Sequence, residues 1–214
     1  MTPRTNHKRL RFSSLQRFAG NTTGVATIEF AFLVPLLMLM SFGAFEIGRA
    51  VIVHKRVQHA TDMVADLVSR EKALGATIAE ANAELNGIMR AAEHSMSPYS
   101  KTPLKMSVTS LRAAAANANI TTVEWAYKYN GKPNVLACPQ VKTMPDSGMV
   151  MAGNTAIMVE AEYQYTPLLT NIIPGLVKPI KFQDKMVYAP RNACVDVGGN
   201  NCVGTCVLTV MSGP

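Results

Sequence analysis

Few residues of this chain have types and spacing that could do chemistry. Foremost is Glu29, in the stretch GVATIEF (Gly24 to Phe30), the only charged residue between Val25 and Phe45. A carboxylate near the centre of a bilayer costs at least about 2.5 kcal/mol even on lenient insertion scales, so it needs a partner, a task or an escape route. Two readings follow. The side chain can snorkel to nearby headgroups, since it lies close to the start of the apolar run. Alternatively, it can neutralise a positive group brought by another helix, because a buried carboxylate left unpaired would protonate or cost several kcal/mol.

The second chemically able set is Cys138, Cys194, Cys202 and Cys206. Four cysteines allow three pairings, and sequence does not choose among them. No histidine follows His94 to complete a zinc set with Cys202 and Cys206, so no metal is expected and disulfides are. One bridge is expected to run from Cys138 to another cysteine and staple a loop to the sheet. His54 and His59 do not share a helix face well enough to ligate together. There is no G-x-S-x-G elbow, no Walker loop, no H-E-x-x-H, and no cysteine with a basic partner. The residues therefore recommend neither an enzyme nor a cofactor.

The elements that must position these residues are legible. From Val25 to Phe45 a helix would be about 31 Å long, enough to cross a hydrocarbon core. The run is too long for a secretory-signal core and continues through SFGAFEIGRA into more helix-like sequence. Before it lie Arg4, Lys8, Arg9, Arg11 and Arg17 with no acid. This asymmetry places the tail in the cytoplasm and exports the C-terminal body, with all four cysteines on the oxidising side. Five of the seven net positive charges sit in that tail, and the body lacks a basic, aromatic-interleaved face, so nucleic acid is excluded as a partner. Pro35 removes one backbone hydrogen bond from the span. Gly43, Ala44 and Gly48 give a small-residue face where another helix could approach.

Beyond the span, Val53, Val57, Ala60, Val64, Leu67, Leu74, Ile78, Ala81, Leu85, Ile88 and Ala92 recur at steps of three and four, with a gap at Glu71 and a break expected near Lys72–Gly75. Short alternating runs follow at 105–111, 123–129, 156–165, 180–188 and 205–210, separated by Asn-Gly, Pro and Gly signals. In the third, Ile157, Val159, Ala161, Tyr163 and Tyr165 face one way, and Glu160, Glu162 and Gln164 the other. The expected fold is α+β: a transmembrane helix continuing into a long amphipathic helix, packed on a small antiparallel sheet. Its parts are a basic cytoplasmic leader (1–24), the span (25–53), the amphipathic helix (54–94) and a β-rich, cysteine-bearing domain (95–214).

A basic tail, a glycine, four uncharged residues, a glutamate and a long apolar helix together resemble the N-termini of type IV prepilin-like proteins. GVATIEFAFLVPLLMLMSFGAFEIGRA resembles in particular the TadE-like family of pseudopilins, through Glu29, Phe30, Ala31, Pro35, Gly43, Glu46, Gly48 and Arg49. VEAEYQYTPLLTNIIPG (159–175) is similar to a strand and Thr-Pro-Leu turn found late in such proteins. The resemblance implies cleavage between Gly24 and Val25 by an inner-membrane prepilin peptidase, which makes Glu29 the fifth residue of the mature chain. It implies a minor component of a Tad-type pilus or secretion apparatus serving adhesion and surface colonisation. The implied partners are a major pilin, other pseudopilins, an assembly ATPase and platform proteins, and the implied location is a bacterial inner membrane with the body in the periplasm or a surface appendage. Once cut, the new α-amino group of Val25, with a pKa near 8 in model peptides, could be neutralised by a neighbouring subunit's Glu29. The rival readings are an unprocessed, permanently anchored periplasmic scaffold, and a membrane-anchored ligand-binding domain that uses Trp125, Tyr127, Tyr163 and Tyr165.

Overall fold

The apolar run, free of helix breakers except Pro35, forms one helix, α1 (Thr23–Arg70), which carries the proline in its interior without ending there. The computed structural model describes residues 23–144, 150–168, 170, 178–199, 202 and 211–212. The chain divides into two compact units, Met1–Ile47 and Gly48–Pro214. In the first, the described residues are all helical and almost all exposed, including Val25, Ile28, Phe30, Phe32, Leu36, Met40 and Phe45. The helix is long and apolar enough to cross a membrane, and none of its most apolar stretch is buried. Exposing that much hydrocarbon to water is untenable, so a lipid surround or other helices are required.

In the second unit the same helix becomes a wall of a core. Val53, Val57, Ala60, Val64 and Val68 are fully buried, as is Ala65. The helix stops at Arg70, whose guanidinium pairs with Asp66 one turn back. The break expected near Lys72–Gly75 is real: β1 (Ala73–Leu74) and Gly75 separate α1 from α2 (Ile78–Ser95). The signal TIAE starts α2. Thr77 caps it by accepting from the Glu80 amide, while Glu80 and Glu84 reach back to accept from the Ala76 and Gly75 amides. Ala81, Leu85, Met89 and Ala92 form its buried face.

The sheet is built from β2 (Leu104–Ala113), β3 (Ile120–Tyr129), β4 (Val141–Thr143), β5 (Thr155–Tyr165) and β6 (Ile180–Tyr188), in the antiparallel order β4-β3-β2-β5-β6. β7 (Asp196–Val197) pairs in parallel with β1, and β8 (Met211–Ser212) pairs in parallel with β3. The fourth alternating run, 180–188, is β6 residue for residue, while the run 205–210 lies outside the described residues.

Alternation on β5 is as expected: Ile157, Val159, Ala161, Tyr163 and Tyr165 are buried against the helices. On β3 the alternation is broken. The register slips between Ser110 and Leu111, so that Ser110 faces Trp125 and Leu111 faces Val123. This β-bulge at Glu124 sends Trp125, Tyr127 and Tyr129 into the helix-side core but Val123 into a second cluster, with Leu111, Ala113, Ala126, Met144, Ala156 and Met158. The bulged Glu124 accepts from Ser110 Oγ at 3.1 Å and Arg112 Nε at 2.5 Å. Arg112 also donates to the carbonyls of Gly153 and Cys202, tying two distant loops to the sheet.

Cys194 is bonded to Cys202, with Cα atoms 6.2 Å apart. Cys138 is also disulfide-bonded and sits in the second cluster, whereas Cys206 lies outside the described residues. With a sequence separation of 8, the 194–202 bridge closes a short loop, and the chain-entropy estimate for that length is about 2.5 kcal/mol. A Cys194→Ser/Cys202→Ser double variant is accordingly expected to unfold at lower urea, losing about 2–3 kcal/mol, with an m-value equal to or slightly above the parent's because the unbridged unfolded chain is less compact.

Tyr127 is fully buried and its hydroxyl has no hydrogen-bond partner among the described residues. Desolvation and the neighbouring Tyr129 push its pKa up to about 12; Tyr129 is pushed up to about 12 by desolvation and by Glu93. An acid raised in the folded state ionises first in the unfolded chain. Stability is therefore fully present below about pH 10 and falls as pH rises from 10 through about 12. Tyr127→Phe should flatten this alkaline loss in urea titrations at pH 9, 10 and 11 while leaving stability at pH 7 unchanged or slightly higher.

Candidate functional site

Gly24, Val25, Glu29 and Phe30 occupy the first two turns of α1, and all four are exposed. Val25 and Glu29 are four residues apart, hence one turn and about 6 Å along the axis. A Cβ added at Gly24 would meet nothing within 4 Å. Among the described residues, no side chain packs against Gly24.

The remaining sequence-derived positions do not gather around Glu29. Glu46 lies about 26 Å further along the helix, and Gly48 and Arg49 belong to the second unit. Pro35 is exposed, and neither Gly43 nor Gly48 has any atom within 4 Å of an added Cβ. Among the described residues no side chain covers these glycines, so close approach of a second helix meets no steric bar from them. The first unit thus holds a cleavable-looking terminus with a carboxylate, and the second unit holds a basic cluster of its own.

In that cluster the Arg49 guanidinium lies 5.8 Å from the Tyr99 ring centroid, and that of Arg56 lies 5.7 Å from it. Arg56 also donates to the carbonyls of Ser95 and Ser97, taking up acceptors at the end of α2. Sequence reasoning missed Arg56 and Tyr99. A signal was present, because Arg49 and Arg56 are seven residues apart and so share a face after two turns.

The aromatics weighed as a ligand platform are core. Trp125, Tyr127, Tyr163 and Tyr165 are each 3% exposed or less. Trp125 donates to the Val195 carbonyl at 3.1 Å and Tyr163 to the Ser100 carbonyl at 3.0 Å. All four rings are spent on packing, and the polar tips of Trp125 and Tyr163 on backbone, which leaves the ligand-binding reading without its proposed surface. Among the described residues, no group of three or more His, Cys, Asp or Glu side chains comes together as a metal site. The strand half of VEAEYQYTPLLTNIIPG is β5, and its closing residues 171–175 lie outside the described residues.

No curated protein and no solved structure matches this chain. Residues 24–66, which hold Gly24, Glu29, Pro35, Gly43, Glu46, Gly48 and Arg49 and reach into the buried wall of α1, match the family described as TadE-like protein, the family whose N-terminal motif this sequence resembles.

Proposed function

We propose that this chain is a minor pseudopilin of the TadE kind. Its basic leader stays in the cytoplasm, its apolar helix spans the bacterial inner membrane, and a prepilin peptidase cuts between Gly24 and Val25. The processed chain then takes part in assembling a Tad-type pilus or secretion apparatus that serves adhesion and surface colonisation. Its partners are other pilins and the assembly machinery, and it catalyses nothing itself.

The observation that carries this reading is the family match beginning at Gly24, with Glu29 five residues later at the head of an exposed apolar helix. A long exposed helix needs neighbours or lipid along its whole length, and a fibre of like helices supplies neighbours. Glu29 then acts as a register device. A subunit adds favourably where its carboxylate meets the free amine of another processed helix, and unfavourably where that charge stays unpaired.

The test is intact-mass and N-terminal peptide analysis of protein purified from membranes of the native host. A mature terminus at Val25 is expected. A terminus at Met1 or Thr2, with the peptidase present and active, overturns processing and leaves a permanently anchored scaffold.

A further inference from the structure

The face of the sheet turned away from the helices carries a charged cleft that the proposed function does not use. Glu160 and Glu162 project from β5 and are surrounded by Lys132, Lys142, Lys181 and Lys185. Lys181 lies 2.8 Å from Glu162, Lys142 lies 3.5 Å from Glu160, and Lys132 lies 3.8 Å from Glu162. The Lys132 side chain is only 9% exposed, unusual for an ammonium with no closer carboxylate. Lys132, Glu160, Gln183 and Lys185 line a cavity of about 300 Å³. Asp184 and Ala161 complete the lining, but Phe182 and Met186 pack into the helix-side core, so strand parity turns the Asp184 carboxylate to that side.

Four lysines against two glutamates leave a charge of +2. Two of the lysines, Lys142 and Lys185, flank Glu160 closely enough to repel each other. Burial, and then Lys142, hold Lys185 below the ordinary lysine range, so these ammoniums lack enough negative charge to satisfy both. At Glu162 burial works against ionisation but is outweighed by Lys181, Lys132 and Gln183, so its carboxyl lies below its ordinary value and its charge is already committed. An anion seated between Lys142 and Lys185 would relieve their repulsion, with the Gln183 amide as a further donor.

We infer that this cleft binds a small, doubly charged oxoanion of the phosphate class, either free or as the phosphate group of a small sugar phosphate. The charge of +2 matches a dianion, lysine binds phosphate as a point charge, and the volume lies at the small end of the range for ligand pockets.

The test uses the full chain in a non-ionic detergent and titrates inorganic phosphate by calorimetry against sodium chloride of equal ionic strength. Saturable one-to-one binding is expected. Lys142→Gln and Lys185→Gln should each weaken it at least about tenfold, the loss expected for one charged hydrogen bond. Lys185→Arg should retain it, and so should Lys55→Gln, which removes an exposed charge from α1. Trp125 emission confirms that each variant is folded. Glucose 1-phosphate binding much more tightly than inorganic phosphate would assign the cleft to a phosphorylated sugar, and equal affinity would assign it to the free ion. No saturable phase above the chloride control, or an equal loss in Lys55→Gln, overturns the proposal.

Discussion

Gly75→Ala lowers the stability of the β-rich unit by about 2–5 kcal/mol. Gly75 has φ +61, a conformation that costs a residue with a Cβ about 1–2 kcal/mol. A Cβ there would also lie 2.5 Å from the Ala81 nitrogen and 2.6 Å from the Glu80 Cβ, with the Glu80 carbonyl carbon at 2.8 Å. Two of those atoms are backbone in the first turn of α2, so relief requires the helix to shift, adding about 1–3 kcal/mol. The matched control is Gly131→Ala, where φ is +60 but nothing lies within 4 Å, and only the conformational cost of about 1–2 kcal/mol should appear. Urea unfolding of the full chain in detergent, followed by Trp125 emission, measures both. Equal losses in the two variants would show that the close approach to α2 contributes nothing.

Trp125→Ala should cost about 3–5 kcal/mol, the usual range for deleting a large buried aromatic. Trp125 is 3% exposed in the core, and its indole N–H donates to the Val195 carbonyl. Trp125→Phe separates the two contributions. It keeps most of the ring packing but strands the Val195 carbonyl, and should cost about 1–3 kcal/mol. Its signature is local. β7 is held to the segment before α2 by the Asp196 amide on the Lys72 carbonyl and the Gly198 amide on the Leu74 carbonyl. Those two amides should exchange faster in Trp125→Phe than in the parent, while α2 amides stay protected. Since this is the only tryptophan, circular dichroism and hydrogen exchange replace fluorescence as the readouts. A Trp125→Phe variant as unstable as Trp125→Ala would sink the division between packing and tethering.

Both predictions rest on features that differ in how far the sequence reveals them. The break at Gly75 was visible because a glycine and a missing apolar step coincide. The strands over 104–113 and 155–165 were visible because one face of each packs on helices, which forces a period of two. The helical stripe was right to within one residue except at Ile78, which is exposed at the head of α2. Val68 and Met89 are fully buried where Leu67 and Ile88 were expected, because a 3.6-residue period allows a step of three or four and only packing decides. The bulge at Glu124 was not legible. VEWAYKY alternates well enough by eye, and only pairing with β2 shows that Val123 and Trp125 belong to opposite faces. The Cys194–Cys202 bridge was one of several pairings that spacing allows. At the candidate site, Gly24 and Glu29 were legible through their order in the chain, whereas the approach of Arg56 to Tyr99 depends on where the end of α2 comes to rest.

The pairing of β3 has a consequence for solubility. A bare sheet rim offers a row of unpaired amide and carbonyl groups on which another chain can grow a strand. The outer rim of β3 is occupied by β4 along Ile120–Thr122 and by β8 at Tyr127–Lys128, two short strands running in opposite directions. Neither presents more than three residues of edge, and the two cannot merge into one long template because their hydrogen-bond patterns differ. At the opposite end of the sheet, β6 is nine residues long but places Lys181 and Lys185 along its length, where an added strand would bring them against its own side chains. A protein concentrated by its anchor on one surface meets its own copies constantly. These rims discourage such meetings from becoming cross-β aggregation, so the strand edges are not where one copy joins another.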